Sequence, residues 1–294
     1  MKVWKTLANG LNNKINLKYL LKMKKRFILL IDFSEHSESL LKYAYDWSLQ
    51  IETEFLIIHQ TEVITPTLAD IKTREKFTQE INLKMLDQVK SFVENILPNQ
   101  AQLNYDVSDK NLNFTLKAHL NTGFEDLIFV GIKETSLRKK IFLGSTAIQL
   151  INEIENSFVA MPKEMTKFSH ETIFVAVTEK HPLNILELNN FLSFIDETET
   201  SITFFHLSDY NEDTDFIEKK LRDLTTLFSA QYNVDYKIYE KNAYFNDIKK
   251  IINNKVDELL IVQKGSRHLT DKLFRRFLIN DLVFEGETPL IVLP

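Results

Sequence analysis

The chain has 294 residues, 44% of them hydrophobic and 26% charged, the composition of a soluble globular protein long enough for one large domain or two ordinary ones. Its net charge of -5 excludes a global basic field for nucleic acid, and zero cysteines exclude a disulfide framework, thiol catalysis and thiolate metal sites. No apolar run approaches the roughly 18 residues that a membrane-spanning helix needs.

Residues 1–24 form a basic extension in which Val3, Trp4, Leu7 and Leu11 stand among lysines. They lack a continuous apolar stretch ahead of a small-residue cleavage site, so no secretory signal is expected. The protein is expected in the cytoplasm, without a membrane partner. The extension reads as disordered or helical, or as sequence upstream of a natural start at Met23; a weak membrane-surface or partner helix is the remaining reading.

From Arg26 the pattern becomes regular. Phe27, Ile28, Leu29, Leu30 and Ile31 make an apolar run closed by Asp32, and Phe33-Ser34-Glu35-His36-Ser37 supplies cap chemistry before Leu40, Leu41, Ala44 and Trp47 at helical spacing. Strands then follow over 54–59, 101–107, 127–130 and 157–161, separated by helices over 68–97 and 111–120 and from Gly144 to about 154. Buried strands alternating with helices predict an α/β fold, with a parallel sheet and helices on both faces.

Within this run, 127–146 is the most suggestive stretch. An apolar strand ends at Gly131, a basic loop follows Glu134, and Gly144-Ser145-Thr146 opens a helix. Backbone N–H groups at a helix N-terminus and in a glycine-permitted turn suit a phosphate. A loop capped by serine ahead of a surface helix is the plainer alternative.

The whole pattern then starts again. Residues 172–178 match 26–32, 202–206 match 55–59, 257–262 match 125–130, and 289–294 match 157–162. Long helices over 215–232 and 245–253 and a strand over 234–239 fill the second copy. Two copies of one unit predict domains over 25–163 and 170–294 with a short linker between them.

These residues carry a resemblance. Asp32-Phe33-Ser34-Glu35-His36-Ser37 after strand 1, His59 closing strand 2, and Val130-Gly131 spaced ahead of Gly144-Ser145 resemble a universal stress protein domain. The chain from about residue 25 onward resembles a tandem universal stress protein, the second copy through its periodicity alone. The resemblance implies two tandem doubly wound domains, each a five-stranded parallel sheet of order 3-2-1-4-5 with helices on both faces. It also implies ATP binding, which many members achieve through Gly-x2-Gly-x9-Gly-Ser/Thr. In that strand order the connections leaving strands 1 and 4 diverge and leave a crevice, the switch point at which ligands bind. Carried over by position, the contacts are Ile31, Asp32, Val130, Gly131, Gly144, Ser145 and Thr146. Asp32 would accept from ribose hydroxyls, Gly131 would let backbone approach the ligand, and the Gly144–Thr146 turn would meet phosphate.

The pattern has departures. Glu134 stands at the second glycine of the signature, and a carboxylate about 5 Å from a phosphate costs roughly 3 kcal/mol at an effective dielectric of about 20. That is about a hundredfold in affinity, which Lys133, Arg138, Lys139 and Lys140 could offset. In the second copy Thr178 replaces the strand-end acid and Arg276-Phe277 the Gly-Ser helix start, so that site is expected to be lost. Lys264, Arg267, Lys272, Arg275 and Arg276 are expected in surface salt bridges. His59 and His206 read as buried fold histidines, and the acid pairs Glu125-Asp126 and Asp257-Glu258 as solvated groups at the far end of the sheet. The final strands of the two copies are expected to meet near a pseudo-twofold axis, an intrachain pseudo-dimer; dimerisation of the whole chain stays open.

The expected function is therefore non-enzymatic: a stress-response or regulatory protein binding ATP or a related adenine nucleotide in the first domain only. A nucleotide-free structural or protein-interaction tandem is the alternative. No general base or metal-binding carboxylate is placed for ATP hydrolysis.

Overall fold

A computed structural model describes residues 23–64, 70–98, 101–120, 122–131, 133–135, 140–142, 145–162, 165–179, 181–196, 198, 200–208, 213–240, 258–264 and 289–294. For 133–135, 140–142, 145, 240 and 258 the description is of the backbone. The first half runs β1 (Lys24–Leu30), α1 (Glu35–Ser48), β2 (Thr53–Gln60), α2 (Ile71–Glu94), β3 (Leu103–Ser108), α3 (Leu112–His119), β4 (Phe124–Gly131), β5 (Lys133–Thr135), β6 (Lys140–Phe142), α4 (Ser145–Glu153) and β7 (Phe158–Met161). The second runs β8 (Thr172–Ala176), α5 (Ile185–Leu192), β9 (Ser201–Ser208), α6 (Asp215–Phe228), β10 (Asn233–Glu240), β11 (Glu258–Gln263) and β12 (Leu290–Leu293).

Ten strands share one sheet, in the order β10-β9-β8-β11-β12-β7-β4-β1-β2-β3. Counted from its outer edge, each half runs third, second, first, fourth, fifth, which is the doubly wound order that the family resemblance implies. Pairs within a half are parallel, whereas at the midline β7 and β12 are antiparallel with Val159 opposite Ile291. The repeat is thus a single continuous sheet whose strand direction reverses once.

Alternate residues of a strand face opposite sides, and β1 is apolar on both. Phe27 and Leu29 join one core cluster with Trp47, while Ile28 joins a second with Leu150 and Ile154. Burial on both faces is why the strand reads as a run and not as an alternation. The first cluster also contains Phe191, Phe194 and Ile291, and the second contains Leu260, Val262 and Val292, so both cores cross the midline. Met165 and Phe168, in the stretch read as a linker, belong to the first core as well. Fully buried Trp47 stacks on Phe168 with centroids 4.1 Å apart and planes 9° apart, and its indole N–H donates to the Phe194 carbonyl at 2.8 Å. Asp46 accepts the Phe168 N–H at 2.7 Å.

Several local expectations change. α2 begins later than the periodicity suggests because Asp70 caps it, accepting the Thr73 N–H at 3.1 Å and its hydroxyl at 2.7 Å. The basic loop after Gly131 holds a short antiparallel ribbon, β5 on β6, with Glu134 opposite Ile141. Residues 1–22 and the helix expected over 245–253 lie outside the described residues.

Asp126 is not a solvated acid. It sits 8% exposed beside Arg26, its partner across β1 and β4, in a two-pronged ion pair with N···O distances of 2.7 and 3.1 Å. Arg26 also donates to the His119 carbonyl at 2.9 Å and lies over the Phe124 ring. Among the described residues no helix is long and apolar enough to cross a membrane.

Candidate functional site

The site begins where β1 stops. The Ile31 N–H donates to the Ile58 carbonyl at 3.1 Å, and Asp32 is the first residue past that ladder. Asp32 Oδ1 accepts from the Ser34 N–H at 3.1 Å, the Ser34 hydroxyl at 2.5 Å and the Ser37 hydroxyl at 3.2 Å. Its own N–H donates to Ser37 Oγ at 3.0 Å. Ser37 is buried in the first turn of α1, so the carboxylate is fixed to a helix start. Ser34 is the N-cap by its backbone but makes no side-chain cap bond, because its hydroxyl serves Asp32.

Phe33, between them, takes φ +60°, a left-handed conformation that costs a bulky residue about 1–2 kcal/mol. Two things hold it there: the bonds around Asp32, and a ring set edge-on to His59 at 4.9 Å and to Phe92 at 5.4 Å. Backbone strain beside a polar strand end is a mark of functional sites.

Gly131 closes β4 next door. A Cβ there would lie 3.1 Å from the His36 Cβ, so the glycine lets the first turn of α1 settle over the end of β4. From the sequence the glycine was assigned to close approach of a ligand; the neighbour that takes up the space is His36.

These elements enclose a cleft of about 400 Å³, within the size range of small-molecule sites. Ile31, Asp32, Val130, Gly131 and Thr146 all line it, five of the residues named from the sequence. Ser145 begins α4, and Gly144 lies outside the described residues. Missed from the sequence were Gln60 at the end of β2, Glu62 just beyond it, Leu112 at the start of α3, and Leu150 of α4. Polar residues at the carboxyl end of the second strand of a doubly wound unit were the available signal for Gln60 and Glu62, since that strand borders the switch point. Among the described residues the lining holds two carboxylates, Asp32 and Glu62, and no lysine or arginine. The side chains of Glu134 and of the basic loop lie outside the description.

The histidines fall into equivalent places. His59 Nδ1 is 2.9 Å from the Ile31 carbonyl and His206 Nδ1 is 2.8 Å from the Val177 carbonyl, each an N–H donated to the strand next door. Among the described residues no group of three His, Asp or Glu side chains is placed to hold a metal ion.

Register aligns the two halves. Leu29 pairs with Phe129 and Val175 with Ile261, so Gln263 stands where Gly131 does and Thr178 where Asp32 does. Gln263 Oε1 accepts the Asn184 N–H at 2.6 Å, a bridge from the end of β11 to the cap of α5. The Thr178 hydroxyl is engaged with both the N–H and the carbonyl of His181 at 3.2 Å. Both side chains at these equivalent positions are thus engaged with backbone of their own half. Arg267, Lys272, Arg275 and Arg276 lie outside the described residues.

Fold and cleft together define a tandem doubly wound α/β protein with a built cavity at its first switch point. Its fold is that of the universal stress proteins: a universal stress protein from Archaeoglobus fulgidus DSM 4304 superposes with a TM-score of 0.64 at 17% identity, over 91% of this chain and 97% of that one. A protein of unknown function from Pseudomonas aeruginosa PAO1 gives a TM-score of 0.53 at 13% identity, over 93% of this chain and 94% of that one. No protein-family model matches the sequence, and no curated protein matches it.

Proposed function

We propose that the chain is a non-enzymatic, cytoplasmic stress-response or regulatory protein of two universal stress domains, and that its first half binds ATP or a related adenine nucleotide. The observation that carries this reading is the cleft at the ends of β1 and β4, where Asp32, Gly131 and Thr146 meet. Asp32 is held in place before any ligand arrives, so little ordering cost remains on binding. A carboxylate has about four acceptor directions, enough to receive a ribose hydroxyl besides its loop. The start of α4 supplies backbone donors and a favourable dipole for phosphate. In the second half, the Gln263 bridge and the loss of the strand-end acid support one nucleotide per chain.

Titration calorimetry with ATP, ADP and AMP tests this. The expected result is one binding event per chain, weakened about a hundredfold in Asp32→Ala, since a hydrogen bond to a charged group and the support of the turn are lost together. Glu134→Gly is expected to tighten ATP binding and to leave AMP nearly unchanged, because only the outer phosphates would approach that position. No heat and no melting shift at millimolar nucleotide overturns the reading in favour of a nucleotide-free interaction protein. Phosphate release abolished by Asp32→Ala would instead make the chain an enzyme.

A further inference from the structure

We infer that Lys264 is a positioning residue through which the second half sets the helix lining the first-half cleft; the inference rests on the nucleotide reading above. α4 has two ends with different jobs. Thr146, Ala147 and Leu150, in its first two turns, line the cleft. Its other end is met by Lys264, one residue past β11 in the second half. Lys264 Nζ donates to the Ile154 carbonyl at 3.0 Å and pairs with Glu155 at 3.1 Å. Its side chain is only 12% exposed, so its placement is not that of a loose surface cation.

A cation on the last carbonyls of a helix satisfies acceptors that have no partner within the helix, and it complements the dipole. The lysine is itself anchored, its N–H donating to the Leu293 carbonyl at 2.9 Å. Apolar packing points the same way: Ala147, Leu150, Ile151 and Ile154 share a cluster with Val262, Leu290 and Val292 of the second half. Within the first half, the same end is held through Glu153, which accepts from Asn113 and lies 3.9 Å from Lys117.

Nine residues of helix span about 13 Å. So short a rod moves as a unit, and an anchor at one end sets the direction of the N–H groups at the other. Lys264 also directly follows Gln263, whose side chain bridges the second crevice. The half without a working motif thereby acts as the fixed support of the other half's binding helix.

The test compares Lys264→Met, Lys264→Arg and wild type by calorimetry with ATP, by melting temperature, and by amide hydrogen exchange over 146–154. Lys264→Met is expected to weaken ATP binding about fivefold, the low end of ordinary coupling between sites. It is also expected to speed exchange in the first turns of α4, and Lys264→Arg should restore both. Unchanged affinity and unchanged exchange in Lys264→Met overturn the inference. So does a fall in melting temperature with exchange raised uniformly through the protein, which marks general destabilisation. If wild type gives no heat with ATP, the nucleotide reading fails by itself, and exchange across α4 in the ligand-free protein still decides the role of Lys264.

Discussion

Trp47→Ala is expected to destabilise the protein by about 3–5 kcal/mol for the lost packing. The Phe194 carbonyl that it leaves without its donor adds about 1–3 kcal/mol. Against a total stability of about 5–15 kcal/mol for a folded protein, that is a large share. The indole is where the halves meet: Phe27 and Phe129 touch it from the first sheet half, Phe168 from the connecting stretch, and Phe191 from α5. The loss should therefore fall on the whole chain. Urea unfolding followed by circular dichroism is expected to show one transition moved to lower urea. Two transitions, one of them at the wild-type midpoint, would show that the halves hold separate cores.

Arg26→Met is expected to cost about 3–5 kcal/mol near pH 7, because it leaves a buried carboxylate without its partner. Burial pushes the Asp126 carboxyl above its ordinary value, against the hydrogen bonds and charge of Arg26 that pull it down. A folded-state value above the unfolded one contributes stability that is fully present below the ordinary aspartate range and is lost as pH rises through the raised value. Without Arg26 that downward pull is gone, so the variant should be hurt less at pH 4 than at pH 7. Arg26→Met combined with Asp126→Leu is expected to recover most of the loss, since an apolar pair of similar size carries no desolvation cost. Equal destabilisation at both pH values, or no recovery in the double variant, would contradict this account of the pair.

What the sequence disclosed follows from local pattern. Strands buried on both faces, such as 27–31 and 127–130, announce themselves as apolar runs, and their alternation with helices leads to a parallel sheet with helices on both faces. The strand order that sets Asp32 and Gly131 at the ends of neighbouring strands comes from the family resemblance, and the structure places both in one cleft. What stayed hidden depends on register and on distant partners. Asp126 looked solvated because the arginine opposite it lies 100 residues earlier in the chain. Gln263 acquires its meaning only from strand pairing, which puts it at the Gly131 position. Phe168 looked like part of a connector because one aromatic residue among polar neighbours carries no period, yet it stacks on Trp47. Strands as short as β5 and β6, three residues each, offer too few alternations to read.

The antiparallel seam between β7 and β12 gives the molecule sidedness. Because strand direction reverses there, the carboxyl ends of the two halves lie on opposite rims of the sheet. The cleft by Asp32 opens on one rim, and the Gln263–Asn184 bridge sits on the other. A small molecule entering the first and a macromolecule docking at the second would approach from opposite directions and never compete for the same ground. Any coupling between the two rims would have to run through the sheet and the two cores that cross its midline.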